Sequence, residues 1–76
     1  MNKELMMNMD ITLNNRPETL EGYDQLTIEQ LLKVKNFSYK MLLVKINDQT
    51  IKKDDYNKTI IKGGDKVEVI HLMTGG

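Results

Sequence analysis

Seventy-six residues carrying 11 basic and 11 acidic side chains, with no net charge, make one small domain whose core leaves little stability in reserve. The absence of cysteine excludes disulfides, thiolate metal sites, iron–sulfur clusters and a catalytic thiol on this chain. The balanced charge argues against a nucleic-acid partner, and no run approaches the ~18 apolar residues of a membrane span.

Residues 1–8, MNKELMMN, read as an N-terminal extension that lacks the apolar run of a signal peptide. The expectation is a soluble cytoplasmic protein with its domain over 9–72 and a reactive tail over 73–76. Met9, Ile11 and Leu13 alternate with Asp10, Thr12 and Asn14, the pattern of a half-buried strand. Asn14-Asn15-Arg16-Pro17 is turn chemistry, because Asn tolerates left-handed backbone and Pro interrupts a ladder. Glu18–Glu21 returns as a second strand, and Gly22 breaks the pattern.

Thr27 and Gln30 have the spacing of a capping box, with Leu26 and Leu31 placed for the hydrophobic staple. A helix follows with Ile28, Leu31 and Leu32 on one face, ending near Asn36, with Phe37 beneath it. Met41–Ile46 is the next strand, Asn47-Asp48-Gln49 a turn, Thr50–Lys52 a short strand and Asp54–Asn57 a helical turn. Lys62-Gly63-Gly64-Asp65 turns tightly into a last strand, Lys66–Leu72, with Val67 and Val69 on one face. The order strand, strand, helix, strand, short strand, strand predicts an α+β domain. One main helix lies on a mixed sheet of four to five strands, the arrangement of the ubiquitin-like β-grasp fold.

The sequence closes on Gly75-Gly76 directly after this strand. Two glycines at two given positions are a ~0.5% coincidence on average usage. Glycine finishes a strand poorly unless bare backbone is needed. A terminal Gly–Gly offers an α-carboxylate on a thin stalk that enters a channel too narrow for any Cβ. Residues 73–76 extended reach roughly 13 Å, enough to enter another protein's active site.

The chain resembles the ThiS family, the ubiquitin-like sulfur carriers of thiazole (thiamin) biosynthesis, over about residues 9 to 76. Four features carry the resemblance: the strand ending Val44-Lys45-Ile46-Asn47, Ile51 followed by Tyr56, the segment Ile61-Lys62-Gly63-Gly64-Asp65-Lys66-Val67-Glu68-Val69, and Gly75-Gly76. Many members have Pro-Arg where this chain has Lys52-Lys53, and Ala or Val where it has Met73-Thr74. The resemblance implies a carrier protein rather than an enzyme, with no bound cofactor. A ThiF-type adenylating enzyme would use ATP to convert the Gly76 carboxylate to an acyl-adenylate. A persulfide donor such as a cysteine desulfurase would turn that into a thiocarboxylate, and a ThiG-type thiazole synthase would receive the sulfur. Gly76 is then the reactive position, with Gly75 beside it. The small subunit of molybdopterin synthase, which shares fold, tail and thiocarboxylate, is the near alternative. A β-grasp module that never conjugates is the distant one.

Ile70 and Leu72 have the opposite parity from Val67 and Val69. A regular strand exposes them beside the tail as a docking patch; a bulge near His71 buries them. With Met73, Thr74, Lys52 and Lys53 they make the candidate partner-binding set. His71, the sole histidine, reads as structural, Asp54 and Asp55 as turn formers, and the lysines of the second half as a solvated face.

Overall fold

The computed structural model describes residues 7–37 and 41–72. Its elements are β1 (Asn8–Leu13), β2 (Arg16–Glu21), β3 (Gln25–Thr27), α1 (Ile28–Val34), β4 (Leu42–Ile46), β5 (Gln49–Ile51), a 3-10 turn (Lys53–Asp55), β6 (Ile60–Lys62) and β7 (Lys66–His71). Five strands form one mixed sheet in the order β2-β1-β7-β4-β5, and β3 pairs β6 in a separate two-stranded ribbon. β7, last in sequence, sits at the centre, parallel to β1 and antiparallel to β4. This is the β-grasp arrangement the element order predicts.

Both hairpins of the main sheet close on two residues in left-handed backbone: Asn14 (φ 52°) and Asn15 (φ 68°), then Asn47 (φ 50°) and Asp48 (φ 72°). Paired positive φ matches the twist of the flanking strands, and Asn and Asp are the side chains that tolerate it best. Asn14 and Asn47 also reach β7. The Asn14 amide donates to Val67 O at 2.9 Å, and its Oδ1 accepts from the Val69 N–H at 2.8 Å. The side chain therefore continues the parallel ladder where the β1 backbone turns away. Asn47 does the same on the other flank: its N–H donates to Lys66 O at 2.7 Å, and its Oδ1 accepts from the Lys66 N–H at 2.9 Å.

Pro17 lies within β2 rather than interrupting it. It pairs with Thr12, whose N–H is turned the other way, donating to Asp65 O at 3.0 Å. That pair exchanges no hydrogen bonds, so on this edge strand the missing proline N–H faces outward and nothing is lost.

The helix is held at both ends. Gln30 N–H donates to Thr27 Oγ1 at 3.0 Å while Thr27 N–H donates to Gln30 Oε1 at 2.9 Å, a complete capping box. The first two helical N–H groups are taken by the preceding β6 loop, Ile28 to Thr59 O and Glu29 to Tyr56 O. At the other end Asn36 (φ 58°) donates to Lys33 O and Phe37 to Leu32 O, the two bonds of a Schellman motif. Lys35 then joins Glu18 of β2 at 2.6 Å, tying the helix end to the sheet edge.

Between helix and sheet lies one core: Met9, Ile11, Leu13, Leu20, Leu26, Ile28, Leu31, Val44, Ile46, Ile61, Val67 and Val69 are buried, with Leu32, Phe37, Leu42, Ile51 and Tyr56 against them. The strand parity expected for Met9–Leu13, Leu42–Ile46 and Val67–Val69 is the parity observed. Three further elements differ from expectation. β3 and β6 are three residues each, too short for alternation to register, and each exists because Leu26 and Ile61 meet as a buried cross-strand pair. β1 begins at Asn8, and Met7 O accepts from Gly22 N–H at 2.7 Å, so the hairpin already includes the end of the segment read as an extension.

Asn14→Gly and Asn47→Gly keep the turns permissive but leave a β7 N–H without its acceptor. Each should lower stability by roughly 1–3 kcal/mol in urea melts. Asn14→Asp retains the acceptor and should stay closer to the parent than Asn14→Gly; equal losses would show that Val69 does not depend on it. Thr27→Ala removes the cap acceptor and should cost about 1 kcal/mol by the same measurement.

Candidate functional site

The sheet's central strand is also the last described element of the chain. β7 runs in unbroken register with β4 from Ile46↔Val67 to Leu42↔His71, and Leu72 N–H donates to Met41 O at 2.9 Å one position further. No bulge interrupts it. Ile70 and Leu72 therefore point to the face opposite the helix and are 39% and 44% exposed, whereas Val67 and Val69 are buried. Met73, Thr74, Gly75 and Gly76 lie outside the described residues.

The turn feeding β7 explains its neighbours. Gly64 takes φ 88°, a backbone only glycine adopts freely, and its N–H donates to Asp10 O at 2.8 Å. Asp65 Oδ2 accepts from the Lys62 N–H at 2.9 Å and Oδ1 from Asn47 Nδ2 at 3.1 Å. The Gly–Asp pair is thus a structural clamp that sets where β7 starts, and an acid with both oxygens occupied is no phosphate cradle.

Lys52 is exposed in extended backbone (φ −73°, ψ 148°) just past Ile51, the last paired residue of the edge strand β5. Lys53 is exposed one residue on, in the 3-10 turn. Of the other lysines, Lys66 pairs with Asp48 at 3.3 Å and Lys58 with Asp55 at 3.8 Å, both at the surface. Asp55 O also accepts from Thr59 Oγ1 at 2.9 Å, a turn-forming contact. His71 occupies the core-facing parity opposite Leu42 yet is exposed.

Among the described residues no three His, Asp or Glu side chains cluster to hold a metal, and no buried side-chain polar atom lacks a hydrogen bond. Burial pushes the Tyr56 phenol above its usual value. No described helix is long and apolar enough to cross a membrane.

The structure brings two further residues to the tail's exit. Met41, 53% exposed, stands across from Leu72, and Leu43 is the register partner of Ile70 on the same face. Their odd parity against the buried Val44 and Ile46 was visible in the sequence, but not which strand would lie beside them.

Comparison with known proteins agrees with this geometry. The model of the ThiS family matches residues 11–76. The crystal structure of the thiamine biosynthesis protein ThiS from Geobacter metallireducens superposes with a TM-score of 0.82 at 29% identity, over 90% of this chain and 100% of that one. An NMR solution structure of a thiamine biosynthesis protein from the same organism gives 0.76 at 29% identity, over 90% and 88%. No curated protein sequence matches the chain. A match that runs from within β1 to the final glycine, on a fold that superposes closely, settles the family: the chain belongs to the ThiS family.

Proposed function

We propose that the chain is a sulfur carrier of thiamine biosynthesis, and that its reactive group is the Gly76 carboxylate. The observation that supports this most is the exit: the strand held on both flanks ends at His71, and the exposed Leu72 after it stands two residues before the diglycine. A rigid base with a short glycine end is what a carrier needs to present one atom to another protein's active site.

A carboxylate is a poor electrophile, so an adenylating enzyme of the ThiF type activates it. A Gly76 oxygen attacks the α-phosphorus of ATP, and pyrophosphate leaves. The persulfide of a donor such as a cysteine desulfurase then attacks the acyl carbon, AMP leaves with the electron pair, and an acyl disulfide remains. A thiol cleaves its S–S bond, releasing the thiocarboxylate and a disulfide on the donor side. The sulfur is nucleophilic and passes to a thiazole synthase of the ThiG type. Throughout, this chain is the substrate of other enzymes. Its lack of cysteine suits the task, because no competing thiol sits on the carrier.

Incubation with the cognate adenylating enzyme, ATP and a persulfide donor should raise the intact mass by the difference between sulfur and oxygen. Deletion of Gly76 should abolish the gain. Gly75→Val, which adds a branched side chain inside a channel built for bare backbone, should slow it by about a hundredfold. No ATP-dependent change in the parent chain would refute the reading.

A further inference from the structure

We infer that Asn14 is a positioning residue for the reaction at Gly76: its side chain fixes the root of the strand end that leads to the tail. The inference rests on the reading that Gly76 is adenylated. It adds a residue outside the diglycine, whose effect runs through Val69.

The sheet narrows at its exit end. β1 pairs with β7 at Thr12↔Lys66 and Leu13↔Val67, and β5 pairs with β4 no further than Val44↔Ile51. Val44 stands opposite Val69. Past that row, among the described residues, only β4 and β7 continue side by side. They run through Leu43↔Ile70 and Leu42↔His71 to the Leu72 N–H, which donates to Met41 O. A two-stranded ribbon by itself is marginally stable. Leu42 packs the β4 side of this one against the core, but beyond Val69 no described residue of β7 is buried. The ribbon's direction is therefore set at its root, and there the Val69 N–H donates to Asn14 Oδ1 at 2.8 Å.

A small error at the root is magnified at the tip. The seven residues from Val69 to Gly76 can span up to roughly 23 Å. At that length a turn of about 10° at Val69 carries the far end sideways by about 4 Å. Attack of a carboxylate oxygen on phosphorus needs the reacting atoms about 3–3.5 Å apart and aligned. Asn47 is the matched comparison. Its Oδ1 accepts from the Lys66 N–H at 2.9 Å, so it fastens β7 in the same way. It does so at the strand's first residue, before the rows where β1 and β4 both hold it. Loss of Asn47 loosens the start of β7 and leaves its exit in place; loss of Asn14 does the reverse.

The test uses the full chain, ATP and the cognate adenylating enzyme in excess. Single-turnover pyrophosphate release is followed against enzyme concentration, per folded molecule, with the folded fraction taken from thermal melts. Asn14→Gly should lower the maximal rate by about tenfold and leave the half-saturating enzyme concentration within about twofold, because only the placement of the carboxylate suffers. Asn14→Asp, which keeps an acceptor for Val69, should bring the rate back to within about threefold of the parent. Asn47→Gly should stay within about twofold of the parent rate, although it too lowers stability. Amide exchange is an independent readout: Ile70 and Leu72 should exchange about tenfold faster in Asn14→Gly and at parent rates in Asn47→Gly. If Asn14→Gly is largely unfolded, Asn14→Ser, whose hydroxyl falls short of Val69, replaces it. Equal rate losses in Asn14→Gly and Asn47→Gly would overturn the inference, since they would track stability alone. So would a parent-like rate in Asn14→Gly, a change confined to the half-saturating concentration, or a rate that Asn14→Asp fails to restore. A parent chain that releases no pyrophosphate would defeat the Gly76 reading and this inference with it, whatever the exchange rates show.

Discussion

The last strand lies in the middle of the sheet, and the rest of the molecule is arranged to hold it there. β7 is bonded to β1 on one flank and β4 on the other. Where each neighbouring strand turns away, an asparagine side chain extends the ladder, Asn14 to Val69 and Asn47 to Lys66. A central strand has no free edge along its paired length, and its buried N–H groups must be satisfied or cost about 1–3 kcal/mol each. The two turns therefore do more than reverse the chain. Their left-handed backbone aims the side-chain amides inward at the strand that carries the tail.

The helix is integrated by the same logic at smaller scale. Its first N–H groups find acceptors in the 56–59 loop and in Thr27, so the loop between the 3-10 turn and β6 is part of the cap rather than a spacer. β6 in turn pairs β3, which leads into the helix. Only at Gly64-Asp65 does the chain re-enter the main sheet. Each contact narrows where β7 can start, and with it where Leu72 stands. A chain whose proposed chemistry resides in one terminal atom gains from a base that cannot wander, because a tail of four residues has little length to correct an error in its origin.

Much of this was legible locally. The alternation of Met9, Ile11 and Leu13, the Thr27–Gln30 box and the Gly64-Asp65 turn are short-range signals, and each is in place. The parity of Ile70 and Leu72 was legible too, but not their exposure, since a bulge at His71 would have buried them. Their register with Leu43 and Met41 decides it. Pro17 read as a breaker because a proline costs a ladder bond only when its position would have donated one, and that depends on the partner strand. β3 and β6 escaped notice because three residues carry too little pattern to separate a strand from a loop.

The sequence by itself determined where the helix and the longer strands lie, which side of each is apolar, and that the sequence closes on a diglycine resembling that of the ThiS carriers. Periodicity, caps and turn chemistry act over a few residues and are written locally. Only the tertiary structure decided the strand order, the parallel pairing of β1 with β7, and the meeting of Met41 and Leu43 with Ile70 and Leu72. Those depend on contacts between distant parts of the chain, 55 positions apart in the case of Asn14 and Val69. No local pattern encodes such a pairing; it follows from burying one apolar face of every element at once.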